Sequence, residues 1–178
     1  MNRRTAAIGS ATFFAAAPGI VAGLIPWSLT RWQLRTAYWP PLRAAGGVLL
    51  GAGALVLATT FVTFVVDGIG TPAPVAPTRR LVVTGAYRYV RNPMYLAVLA
   101  AIIGQGLALG QPSLFLYAVI VAATVGAFVL LYEEPTLHQR FGAEYDAYKR
   151  AFPRWRPRRR RWTPSTALPL TIPDRQPT

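Results

Sequence analysis

Long apolar stretches without charge make up most of the chain, and short segments between them collect nearly all of its ionisable residues. No charged residue occurs between Thr5 and Thr30, between Ala44 and Val66, or between Asn92 and Tyr132. A helix that crosses a bilayer needs about 20 predominantly apolar residues. The first two stretches therefore predict one helix each, over roughly residues 6–29 and 44–66. The third is long enough for two. Gly110, Gln111, Pro112 and Ser113 lie near its middle, where glycine ends one helix and proline starts the next, so the pattern predicts a tight helical hairpin. The expected fold is an all-α integral membrane protein with about four transmembrane helices, the last two forming a C-terminal hairpin.

The first two predicted helices hold no ionisable side chain in their apolar cores, which leaves them without a proton relay or ion path and marks them as scaffold. Pro18 and Pro26 predict kinks in the first, and Gly46, Gly47, Gly51 and Gly53 give the second a small-residue face for close helix contact. Residues 67–80 are too rich in proline and glycine for a continuous helix and predict a loop. Near the end, Leu137, Phe141, Tyr145, Tyr148 and Phe152 recur at intervals of four, four, three and four. That spacing predicts a short amphipathic helix on the membrane surface, covering the mouth of a site. The chain divides into a two-helix membrane scaffold (1–66), a membrane-embedded core (67–155) and a basic, proline-rich tail (156–178).

The chain is 53% hydrophobic yet carries a formal net charge of +13, and the placement of that charge sets an orientation. Basic residues near helix ends are retained on the cytoplasmic side. Lys149, Arg150, Arg154, Arg156 and Arg158 to Arg161 put the C-terminus there, an even number of spans brings the N-terminus with it, and residues 67–91 face the same way. Arg31, Arg35 and Arg43 fall on the other side, among Trp27, Trp32, Tyr38 and Trp39, which suit an interfacial aromatic belt. Arg3 and Arg4 before an apolar run imitate a signal peptide, but the run is too long for a signal core and reads as a retained helix. The chain has no cysteine, which excludes disulfides, thiolate metal sites and cysteine nucleophiles.

The chemistry-bearing residues gather at one membrane face. Gly85-Ala86-Tyr87-Arg88-Tyr89-Val90-Arg91-Asn92-Pro93-Met94-Tyr95, followed by Glu133-Glu134 and by Phe141-Gly142-Ala143-Glu144-Tyr145-Asp146-Ala147-Tyr148, resembles the isoprenylcysteine carboxyl methyltransferase and phospholipid methyltransferase superfamily over roughly residues 78–155. The resemblance implies a membrane-embedded enzyme that uses S-adenosylmethionine, with the bilayer and a lipophilic methyl acceptor as its partners and no metal. By position it implies cofactor contacts from Leu81, Val82, Tyr87, Asn92, Pro93, Met94, Tyr95 and Glu133, with Arg79 and Arg80 close by. A carboxylate there can accept from ribose hydroxyls or an ammonium group, and aromatic rings can flank adenine or the sulfonium. Two positions depart from the pattern. Asn92 stands where the family commonly has histidine. Val129 stands one turn before Glu133, where the prenylcysteine enzymes place an arginine for the substrate carboxylate, so a different acceptor is the simpler expectation. Gly104-Gln105-Gly106 either matches the small-residue GxG motif of the phospholipid enzymes or packs helices.

Methyl transfer from a sulfonium is an in-line displacement that chiefly requires alignment and a free lone pair on the acceptor. For an amine acceptor Glu134 is the candidate general base, and for an acid or phosphate headgroup Arg91 is the candidate clamp. The competing readings are structural pairing of the glutamates with nearby arginines, and arginines that contact lipid headgroups. Tyr145 and Tyr148 either close over the site or pack a helix, and His138 reads as solvated. Two rival functions use the same features: a nicotinamide-dependent lipid double-bond reductase, since sterol reductases resemble this family around the same pocket, and a non-enzymatic membrane anchor whose basic tail binds anionic lipid or nucleic acid. Nucleic acid is not the expected partner.

Overall fold

The computed structural model describes residues 16–35, 39–67 and 84–157, with side chains to residue 63 in the middle segment. Among them are five helices and no strand: α1 (Ala16–Thr30), α2 (Pro40–Asp67), α3 (Pro93–Leu109), α4 (Ser113–Phe128, continued through Val129–Glu133 and Glu134–Phe141) and α5 (Ala143–Ala151). A short 3-10 turn, Gly85–Arg88, precedes α3. Two helices are long and apolar enough to cross a bilayer, over Pro40–Thr63 and Ser113–Phe141. α3 has 17 residues, or about 25 Å of helix against a hydrocarbon core of about 30 Å. α1 is described only from Ala16 onward. Length therefore supports two spans and two shorter apolar helices rather than a uniform set of four. Leu55, Val62, Leu116, Val119, Ile120 and Leu131 point outward and are more than half exposed, as lipid-facing side chains would be.

Among the described residues the most extensive helix contact is between α2 and α3. A Cβ on Gly104 would stand 2.6 Å from the Leu50 amide nitrogen and 2.8 Å from the Gly46 carbonyl, and one on Gly53 would stand 2.8 Å from the Ala97 carbonyl. Backbone meets backbone, which only glycine permits. The expected small-residue face is corrected in one respect: Gly46 and Gly53 make it, seven residues apart, whereas Gly47 and Gly51 face open space. Gly104 serves this packing. Val98, Ile102, Leu114, Ala118 and Val121 form the buried apolar cluster between α3 and α4, joined by Val21 and Leu57.

The hairpin turn lies where the glycine and proline put it. Gly110 adopts φ 67°, a left-handed conformation that closes α3, and Pro112 begins α4. The connection after α1 docks on this turn, the Arg35 amide donating to the Leu109 carbonyl at 3.0 Å and Gln111 Nε2 to the Gln33 carbonyl at 2.7 Å.

Two helices contain a widened π-turn, Ile20–Leu24 in α1 and Val129–Glu133 in α4. Each ends two residues before a proline, Pro26 and Pro135. A proline inside a helix lacks the donor for the carbonyl four residues back and its ring crowds that carbonyl, so the backbone widens locally. The carbonyl that Pro26 abandons belongs to Ala22, and Gln105 Nε2 donates to it at 2.7 Å, while Tyr117 Oη donates to the Val21 carbonyl at 2.9 Å. Gln105 is buried and its oxygen accepts from Trp32 Nε1 at 3.2 Å. The predicted kink in the first helix is thus a π-turn sealed by polar side chains from α3 and α4.

At the far end, the expected single amphipathic helix is corrected. Leu137 and Phe141 belong to the extension of α4, Gly142 at φ 49° breaks the helix, and α5 folds back. The apolar residues still meet: Tyr145, Tyr148 and Phe152 are buried against Leu137, Phe141 and Ala151.

Candidate active site

The site is built where the 3-10 turn, the first turn of α3, the α4 extension and α5 converge. Gly85, at φ 56° and against Thr63 of α2, starts the turn, and the Tyr87 amide donates to the Thr84 carbonyl at 3.1 Å. Tyr87 is thereby buried. Pro93 opens α3, a position where its missing N–H costs nothing. Within the first turn of the helix, Tyr95 Oη donates to Glu133 Oε2 at 2.8 Å.

Glu134 sits between two guanidinium groups. Arg91 Nη1 donates to Oε1 at 2.9 Å, and Arg154 grips both oxygens, Nε to Oε1 at 2.7 Å and Nη2 to Oε2 at 2.9 Å. The Arg91 and Glu134 side chains are 10% and 13% exposed, so this is a largely desolvated cluster of two cations and one anion. The expectation that something must hold the glutamate pair at a helix end unfavourable for carboxylates is met by Tyr95 for Glu133 and by the two arginines for Glu134. Both Glu134 oxygens accept from guanidinium groups, the pairing that competes with a general-base role, since a carboxylate stabilised in its charged form this way is a poor proton acceptor.

The segment after α5 is tied back onto the mouth of α3. The Arg91 amide donates to the Pro153 carbonyl at 3.0 Å, Asn92 Nδ2 to the Arg154 carbonyl at 3.2 Å, and Tyr148 Oη to the Tyr87 carbonyl at 3.1 Å. Asn92 is buried and does not cap its helix through its side chain; its amide fastens the returning chain. Tyr145 and Tyr148 pack as well as cover, their rings 6.4 Å apart.

The electrostatics follow the burial. Desolvation first, then the neighbouring Glu133 carboxylate, pushes the Tyr87 phenol well above its ordinary value, so it stays protonated at any physiological pH. Burial likewise raises Tyr148 and Tyr145. The hydrogen bond to Glu134 raises the Arg154 guanidinium further above an already high value.

The structure thus brings together Tyr87, Arg91, Asn92, Pro93, Tyr95, Glu133 and Glu134, with Met94 half-buried on the same turn. Leu81 and Val82, with Arg79 and Arg80, lie outside the described residues, as do Tyr38 and the tail beyond residue 157. His138 is mostly exposed and 3.2 Å from Asp146. Among the described residues no group of three or more histidine, aspartate or glutamate side chains is placed to hold a metal ion. Arg154 was not among the expected site residues. It stands at the start of a run of basic residues, and only the flanking Pro153 and Trp155 set it apart.

The profile of the phospholipid methyltransferase family matches residues 42–144, from the start of α2 to the start of α5. That is more than half of the chain. This protein belongs to the phospholipid methyltransferase family. Family membership makes it a methyltransferase, and the two helices long and apolar enough to cross a bilayer agree with a membrane protein. The match covers every expected site residue and stops ten residues short of Arg154. No curated protein and no solved structure matches the chain significantly.

Proposed function

We propose that this enzyme transfers a methyl group from S-adenosylmethionine to the headgroup of a membrane lipid, at a site that opens to the cytoplasm. The observation that carries the reading is the convergence of buried Tyr87, Tyr95 and half-buried Glu133 beside the Arg91–Glu134–Arg154 cluster. The donor set fits the cofactor. Glu133 Oε1 has no hydrogen bond from the described residues, which leaves an acceptor for a ribose hydroxyl or an ammonium group, and the tyrosine rings suit a sulfonium. Tyr87, the Asn92 to Tyr95 turn and Glu133 would hold it, with Leu81 and Val82 from the preceding segment. When bound, S-adenosylmethionine supplies an electrophilic methyl carbon.

The chain's own residues then align and desolvate. Tyr95 holds Glu133 in one orientation through its hydroxyl, and Tyr148 and Phe152 shield the mouth of α3 from water, which strengthens every charge interaction behind them. Arg91 is the group placed to take the anionic part of a headgroup, and Glu134 orients it. A headgroup amine that reaches the site unprotonated needs no strong base for the displacement, consistent with a Glu134 bound by arginines. The basic segment from Lys149 onward orients the site toward the cytoplasm through the charge rule.

The test is binding of S-adenosylmethionine to purified protein in detergent, followed by methyl transfer to phosphatidylethanolamine. Saturable binding that Glu133→Ala and Tyr87→Ala weaken by about tenfold or more, with methylated lipid formed by the wild type, is the expected result. Well-folded protein that binds a nicotinamide dinucleotide and no methyl donor would replace this reading with the reductase one.

A further inference from the structure

The cluster around Glu134 has unequal bonding. Arg154 spends two donors on Glu134 and occupies both oxygens, whereas Arg91 spends one. Glu133 is committed to Tyr95, so Glu134 is the carboxylate that the two arginines share. Within this hydrogen-bonded triad two cations share one anion, which leaves one positive charge in excess among the three groups. Arg91 is the more buried of the two, 10% exposed against 32% for Arg154, and its Nε is buried with no hydrogen-bond partner. Unpaired donors of a buried charged group are costly and are rare without a ligand or a functional reason.

From this geometry we infer that Arg154 is a positioning residue: by neutralising Glu134 it leaves Arg91 with uncompensated charge for the phosphate diester of the acceptor lipid's headgroup. The inference rests on the assignment of this cluster as the acceptor end of the site. If Arg154 is removed, both Glu134 oxygens turn to Arg91, the pair becomes neutral, and Arg91 no longer attracts an anion. Arg154 acts through Glu134 and touches neither donor nor acceptor. The backbone links from Pro153 and Arg154 to Arg91 and Asn92 do not depend on the Arg154 side chain, so its truncation leaves the returning segment anchored.

The distinguishing prediction is a suppression. Full-length protein in detergent is titrated with dihexanoylphosphatidylethanolamine, followed by tryptophan fluorescence, for wild type, Arg154→Ala, Glu134→Gln and the double variant. Loss of an effective charge contact should weaken Arg154→Ala about tenfold. Removing the Glu134 charge in that background should return the affinity to within about threefold of wild type, because Arg91 is released again. A merely structural role for Arg154 would leave the double variant as weak as the single one or weaker, and that result overturns the inference. Should Arg154→Ala fail to fold, Glu134→Gln alone decides: it binds the lipid at least as tightly as wild type if the inference holds, and more weakly if not. Inorganic phosphate that binds with the same variant pattern while the lipid does not would overturn the headgroup assignment. Methyl transfer and S-adenosylmethionine binding in the same samples separate the two claims. The suppression pattern without methyl transfer sinks the proposed activity and keeps Arg154's role, whereas methyl transfer without the pattern does the reverse.

Discussion

The α2–α3 pair and the charged mouth of α3 lie on one continuous stretch of helix yet are held together by opposite means. Along the pair, contact comes from absence: Gly46, Gly53 and Gly104 carry no side chain, and the backbones touch. At the mouth, contact comes from long polar side chains that reach across several elements, Tyr95 to Glu133, Arg154 to Glu134, Tyr148 to Tyr87. Lipid explains the first arrangement. Apolar side chains gain little by leaving lipid for each other, so close van der Waals contact has to supply the cohesion. Where the helices leave the hydrocarbon, water competes for polar groups, and directional bonds within a shielded cluster become the way to fix geometry. The scaffold should therefore be sensitive to added volume, and the mouth to lost functional groups.

The largest effect should come from adding volume to the scaffold. Gly104→Val drives a branched side chain into the Leu50 and Gly46 backbone, which no rotamer change relieves, and the cost should exceed the roughly 1–3 kcal/mol of ordinary overpacking. Loss of monodisperse protein on size-exclusion chromatography is expected, while Gly51→Val, facing open space, should elute like wild type. Equal behaviour of the two would break the comparison. Next, Glu133→Ala should weaken S-adenosylmethionine binding by about ten- to a hundredfold, the range for a hydrogen bond to a charged group, with a melting temperature close to wild type by differential scanning fluorimetry. A smaller effect belongs to Tyr148→Phe, which deletes one bond to the Tyr87 carbonyl and should cost about 1 kcal/mol, seen as a modest drop in melting temperature. Least of all, His138→Ala breaks an exposed pair with Asp146, and less than about 0.5 kcal/mol is expected; a large loss of activity there would place part of the site outside the mouth of α3.

What could be read in advance divides along the same line. The apolar stretches, the hairpin turn at Gly110 to Ser113 and the gathering of Tyr87, Arg91, Tyr95, Glu133 and Glu134 are local in sequence or carried by motif, and the structure assembles them. Which glycines of α2 face α3 was not legible, because four closely spaced glycines fit either face until a partner is chosen. Gln105 gave no signal of its own; its role depends on a carbonyl that Pro26 frees some eighty positions earlier. Arg154 was hidden among other arginines, since composition cannot tell a residue folded back onto the site from one that continues into the tail. The break at Gly142 was missed because side-chain spacing runs through it undisturbed.

Pro135 carries no group that binds or reacts, yet it bears on where such groups point. Each residue of an α-helix advances the side-chain direction by about 100°, so the one additional residue in a π-turn shifts the phase of everything that follows by roughly that angle. Glu134, whose amide bonds back to Val129 across the widened turn, meets Arg91 and Arg154 only in this shifted phase. The acidic pair is therefore aimed by a count of residues: a single deletion between Val129 and Glu133 would leave composition and hydrophobicity almost unchanged and turn both carboxylates away from their partners.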